Sequence, residues 1–349
     1  MPAGPIDNRT PFAVGAIYPT DEEGRPLVVP IVKATYDIRA GTDLILAPQQ
    51  DPVSPEGMFW GTPGQSSLRY EPEMAFVKLG TDVVLVGEAW NRTPGAGSVD
   101  VEFQVGPLRK IVRVFGDRRW IRSLGAPIMT RPQPFERVPL LYERAYGGWD
   151  RSDPDPKKHS CEPRNPVGLG YRSRGTVPEE GVPVPNLEDP RSPIKSPGDR
   201  PHPAAFGFLA PSWQPRLRWA GTYDERWSKA RMPLLPSDFD RRFFNSAHPD
   251  LVAPRGLEGD EPVLVSGASP TGRLAFRLPG LPPPQCVIAR SKRPDASIAM
   301  RLDTFVVDAP RAKTFMTWRG SLPLDEGPHD VTDVSVSSRA VAAQPAGRG

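Results

Sequence analysis

The sequence predicts a mainly β protein: an antiparallel β-sandwich or barrel-like core with an irregular, Pro- and Trp-rich middle lobe. Three observations predict it. Segments of alternating polarity stand towards both ends of the chain, over 8–125 and 261–330. The stretch between them, 126–260, is aromatic and Pro-rich but has no period. Finally, 46 prolines among 349 residues rule out long helices, because each removes a backbone donor and clashes with the preceding turn.

Taken in order, LVVPIVKATYDI (27–38) reads as a strand whose beginning Pro30 assigns to an edge or a bulge. DVVLVGEAW (82–90) is the next. In SVDVEFQV (98–105), Val99, Val101, Phe103 and Val105 fall on one face and Asp100, Glu102 and Gln104 on the other, the signature of a half-buried strand. GPLRK turns the chain and KIVRVFGDRRW (110–120) returns it as a meander. Near the C-terminus, PVLVSG (262–267) and GRLAFRLPG (272–280) form a hairpin about SPT. QCVIARS, MRLDTFVVD and KTFMTWRG add three strands that would complete the same β core. The tail over 338–349 is small, with Gly and Pro, and is expected to be disordered.

The middle lobe is expected to carry two short helices. Thr222 and Glu225 form a capping box opening DERWSKAR, which Pro233 must end. Ser237 and Asp240 open DFDRRFFNSA, with Phe239 and Phe243 one turn apart. No internal repeat is visible.

Composition excludes several functions. Lys and Arg number 44 against 41 Asp and Glu, a net charge of +3, too balanced for a dedicated nucleic-acid binder. Two cysteines, Cys161 and Cys286, exclude a disulfide scaffold and read as free thiols. MPAGPIDNRTPFAVG lacks the basic and apolar regions of a signal peptide, and no stretch approaches ~20 apolar residues. The expectation is a soluble, cytoplasmic protein without a membrane partner.

Chemistry-bearing motifs are scarce. His159, His202, His248 and His329 show no metal-ligand spacing apart from His159 and Cys161, two apart among prolines. NPVGLGY (165–171) has a G-x-G but lacks the third glycine of a dinucleotide loop. Glu143, Asp150, Asp224, Glu225, Asp238 and Asp240 lie near tryptophans, as in a glycoside hydrolase, where paired carboxylates act as acid and base. Helix capping and pairing with neighbouring arginines account for them more simply. No catalytic, cofactor-binding or metal-binding residue is predicted, and the expectation is a protein that is not an enzyme.

The densest feature is PSWQPRLRWAGTYDERW (211–227), with three tryptophans, Tyr223 and three arginines. Burying one Trp removes about 150–250 Å² from water, up to ~6 kcal/mol at ~25 cal/mol/Å², so such rings can hold an irregular lobe together. Arginines can stack on them while bonding carbonyls that the irregular chain leaves free. The same residue types dominate protein–protein hot spots. Tyr146, Trp149, Trp213, Arg216, Trp219, Tyr223 and Trp227 are therefore the candidate partner-binding residues, some of them core and some surface.

In order, TPFAVGAIYPTDEEGRPLVVPIVKATYDI, TDVVLVGEAW, VGPLRKIVRVFGDRRW, YERAYGGWD, NPVGLGY, PNLEDP, FGFLAPSWQPRLRWAGTYDERW, PLLPSDFDRRFFNSAHPD and RLDTFVVDAPRAKTFMTWRG resemble the "domain of unknown function" family whose members act as type VI secretion adaptors. The similarity spans about residues 8–320. It implies a cytoplasmic effector chaperone in a Gram-negative bacterium, with a PAAR-like toxin and a VgrG spike protein as partners and no cofactor. The rival expectations are a carbohydrate-active hydrolase and a passive structural component of the secretion apparatus.

Overall fold

Leu27–Asp37, LVVPIVKATYD, is the longest strand among the described residues, and nine of its eleven residues are buried. A computed structural model describes residues 5–39, 44–173 and 178–338. In it this strand is central to an eight-stranded sheet. The order is Ala13–Ile17, Leu27–Asp37, Lys313–Arg319, Arg301–Asp308, Thr81–Val86 and Val252–Ala253, with Ile45–Leu46 and Leu322–Pro323 also paired to Leu27–Asp37. Arg301–Asp308 and Thr81–Val86 run parallel, Thr304 opposite Asp82. Thr81–Val86 is buried throughout, as expected of a parallel strand covered on both faces. Strands from both ends of the chain thus lie side by side.

Pro30 is not at an edge. Its carbonyl accepts from the Gly320 N–H at 3.4 Å, so its missing donor faces the gap between Lys313–Arg319 and Leu322–Pro323. A proline fits inside this sheet because the partner strand is broken beside it.

The meander forms as Ser98–Val105 and Leu108–Phe115, with Val101 opposite Val112. It belongs to a five-stranded sheet with Leu187–Glu188 on one side and the hairpin Pro262–Ser266/Arg273–Arg277 on the other. The chain leaves this sheet at Gly116, where a side chain would strike the Gln133 carbonyl. Arg118–Ser123 pairs elsewhere, with Ala126–Met129 and Pro183–Val184. A four-stranded sheet joins Ile6–Arg9, Val331–Ser337, Gln285–Arg290 and Ala296–Ala299. Val331–Ser337 was not among the expected strands. Neither large sheet closes into a barrel.

One apolar cluster takes the inward residues of all three sheets. Between the larger two runs the chain over 204–210, AAFGFLA, buried except at Gly207. Phe206 accepts from the Leu85 N–H at 3.2 Å and meets Phe103 edge-on with centroids 6.2 Å apart. The middle of the chain therefore threads the core and does not merely decorate it.

Its helices are shorter than the sequence suggested. Glu225–Ala230 is α-helical, but Asp224 caps it by accepting from the Trp227 N–H at 2.8 Å. Thr222 is bound instead to Asp238. The DFDRRFFNSA stretch yields only a 3-10 turn, Arg241–Phe244, capped by Asp240. One further helical turn, Arg216–Trp219, lies between prolines and a glycine. The expected disordered tail lies outside the described residues from 339 onward. Among the described residues no helix is long and apolar enough to cross a membrane.

Candidate partner-binding surface

The stretch from 211 to 232 is built around one buried arginine. Arg216 donates from Nη1 to the Leu209 carbonyl at 2.6 Å and from Nε to the Phe243 carbonyl at 2.9 Å. Its guanidinium lies 5.2 Å from the centre of the Phe243 ring. Irregular chain cannot satisfy its carbonyls with a ladder, and a planar fork of donors does that work here. Burial lowers the Arg216 pKa, opposed by the charge of Glu71. Trp213 is also buried, edge-on to Tyr142 with centroids 5.4 Å apart.

The candidate residues therefore divide. Trp213, Arg216 and Tyr146 are core, and the partner-surface expectation fails for them. Tyr146 packs with Trp120, Val184 and Ile194 in a separate small cluster, where burial pushes its phenol pKa up to about 12. Trp149 is exposed, under Arg151, on a two-residue ladder with Ser160–Cys161. Trp219, half-buried, has Arg218 and Arg242 against its ring at 5.0 and 5.2 Å. Tyr223 is exposed and edge-on to Trp227 at 4.7 Å. Trp227 is half-buried and donates from Nε1 to the Leu234 carbonyl at 2.9 Å, so it also staples the segment.

Two residues that the sequence did not single out join this surface. Leu217 and Met232 are 48% and 61% exposed and add apolar area to the segment. The segment is tied to the body by Arg231, which donates to the Glu22 carbonyl at 3.0 Å, and by the Arg241–Glu22 ion pair at 2.6 Å.

The carboxylates have structural employment. Glu143 accepts from the Ser67 N–H and hydroxyl, both at 2.7 Å, rather than pairing with Arg144. Asp150 is buried; burial raises its pKa, but bonds from Ser152 and Ser173 outweigh this and lower it. Asp224 and Asp240 cap helical turns, and Asp238 holds Thr222. Glu225 pairs with Lys229 in the open. NPVGLGY is structural too. Asn165 donates to the Tyr142 and Tyr146 carbonyls at 2.7 and 3.0 Å, and any Cβ on Gly147 or Gly168 would collide with Asn165. His159 bonds the Asp153 carbonyl, and both cysteines are free.

Sequence reasoning missed a cleft of about 510 Å³ whose wall includes Lys33, Tyr70, Glu73, Phe208, Arg311 and Phe315. At its base lies a buried charge network. Lys78 bonds Glu71, Asp82 at 2.7 Å and Thr304 at 3.0 Å, and Arg319 pairs with Asp303 at 2.7 Å. Burial works against the Lys78 ammonium, but Asp82, Glu71 and Asp303 outweigh it and raise its pKa. Asp82 also accepts from Asn245 and Ser246, tying the eight-stranded sheet to the middle region. These residues come from four stretches of chain, 71–82, 245–246, 303–304 and Arg319, so no local spacing announces them.

Fold and surface together define a mainly β protein of mixed sheets with an arginine-braced aromatic segment. Residues 23–319 match the family described as an uncharacterized protein conserved in bacteria, DUF2169, and the chain belongs to that family. No curated protein and no solved structure matches it.

Proposed function

We propose that this protein is an adaptor or chaperone that holds a protein partner through the segment 217–232, and that it has no catalytic role. One observation carries the reading. Leu217, Tyr223 and Met232 are exposed beside half-buried Trp219 and Trp227, on a segment anchored at one end by Arg216 to the Leu209 carbonyl and at the other by Arg231 to the Glu22 carbonyl. A preordered surface loses little conformational entropy on binding, and aromatic residues and arginine supply most hot-spot energy. The sequence resemblance favours a type VI secretion effector with a PAAR-like domain as that partner, loaded on a VgrG spike protein from the cytoplasm.

The test is co-purification of the full chain with the products of neighbouring genes, followed by the same experiment with Leu217→Ser/Tyr223→Ala. Loss of a stoichiometric partner with unchanged thermal unfolding supports the reading. Retention of the partner by the double variant removes this surface from consideration.

A further inference from the structure

Lys110 stands where a half-buried strand calls for an apolar side chain. The inward positions of Leu108–Phe115 are Lys110, Val112 and Val114. The Lys110 Nζ reaches Asp250 Oδ2 at 3.2 Å. It is 3.4 and 3.3 Å from the two ring nitrogens of His248, so it lies against the imidazole and not on one lone pair. Nδ1 of that ring already accepts from the Asp250 N–H at 3.1 Å. Asp250 is itself 42% exposed and shared with Arg191. A buried ammonium with one half-solvated carboxylate is poorly compensated.

The space beside it is a cavity of about 280 Å³. Tyr142 lines the same cavity, and its buried hydroxyl has no hydrogen-bond partner. Such an orphan group costs about 1–3 kcal/mol unless something else satisfies it. Both under-used groups, ammonium and phenol, are donors. The cavity is short of an acceptor. Lys110, Arg164 and Arg191 line it against Asp189 and Asp250, an excess of one positive charge that suits a single negative charge better than a phosphate dianion. The rest of the wall includes Pro203, Leu209 and Pro249, which suit an apolar body.

We propose that this cavity binds a carboxylate with a small apolar body, one oxygen accepting from Lys110 Nζ and the other drawing in the Tyr142 hydroxyl, which the wall shuts off from solvent in this structure. The inference is independent of the adaptor reading. Its source is either a free organic acid or the C-terminus of a polypeptide ending in an apolar residue.

The experiment is calorimetric titration of the full chain with benzoate, benzamide, inorganic phosphate, and a short Phe-terminated peptide with a free or an amidated end. Benzoate or the free-ended peptide should bind, and which of them does so assigns the source. Tyr142→Phe should weaken that binding about tenfold, the worth of one bond to a charged group, without lowering the melting temperature. Lys110→Met should abolish it; if that variant does not fold, Tyr142→Phe decides alone. Binding by neither carboxylate, equal binding of benzamide, tighter binding of phosphate, or an unaffected Tyr142→Phe would overturn the proposal.

Discussion

The two regions of this molecule solve the same problem by different means. In the sheets, most backbone donors meet a carbonyl on the next strand, and side chains are left to pack. In the middle region the strands are mostly two residues long, and side chains take over the backbone's hydrogen bonds. Arg118 bonds the Pro185 carbonyl, Arg119 that of Gly181, Arg164 that of Pro201 and Arg216 those of Leu209 and Phe243. What this teaches is that arginine-rich, proline-rich chain need not be flexible: a guanidinium can stand in for a neighbouring strand. The proline stiffens the unfolded chain as well, so less entropy is lost on ordering.

The comparison is tested most severely where the two regions meet. Phe206 belongs to the middle region by sequence but to the sheets by packing. Phe206→Ala should cost about 3–5 kcal/mol, the usual range for a buried ring, and should unfold both regions in one transition by chemical denaturation. Two separate transitions would show that the middle is an independent lobe. Next in size, Arg216→Met should cost about 3 kcal/mol, because two carbonyls lose charge-assisted bonds of ~1.5–3 kcal/mol each. Arg216→Lys should recover little, since one ammonium cannot span both carbonyls. Full recovery by lysine would mean that charge, and not the fork, holds the segment.

Acid should expose a further difference. His248 lies in the middle region, with its pKa lowered from 6.5 to about 3 by burial first and then by the Lys110 charge, opposed by Asp250 and Asp189 and reinforced by His202. A base whose folded pKa lies below its unfolded value leaves the unfolded state holding more protons between the two. Stability is therefore complete above about pH 6.5 and falls as the pH drops towards 3. Between pH 7 and 5, above most of the carboxylate range, the loss should be about 2 kcal/mol. His248→Asn keeps an acceptor for the Asp250 N–H and should flatten that slope in denaturant titrations at the two pH values. An unchanged slope would assign the acid sensitivity to other groups.

How much of this was legible follows from the same contrast. The strand Ser98–Val105 could be read because alternation reports directly which side chains face inward. So could the hairpin about residues 267–272. Val331–Ser337 escaped because only Val331, Val334 and Val336 are apolar, and the spacing slips where a bulge opposes Ala289 and Arg290. Lys110 was legible and was passed over: its parity with Val112 and Val114 already placed a cation on the inward face. In the middle region nothing comparable existed. Trp213 and Tyr223 are ten residues apart in one aromatic stretch, yet one is 4% and the other 53% exposed. Without a period, sequence spacing carries no information about facing; Trp213 turns inward onto Tyr142, which lies 71 residues earlier in the chain.

That leaves the smallest expected effect on stability, which is also the sharpest test of what the middle region is for. If Arg216 and Arg231 anchor the segment to the rest of the molecule, its exposed side chains are free to serve a partner. Leu217→Ser and Tyr223→Ala together should then change the unfolding free energy by less than about 1 kcal/mol, as exposed substitutions do. Trp227→Ala should cost more, because its indole N–H holds the Leu234 carbonyl. A thermal melt of the three variants separates the two cases. Should the exposed pair prove as destabilising as Trp227→Ala, those residues belong to the brace, and the segment has no surface to spare for binding.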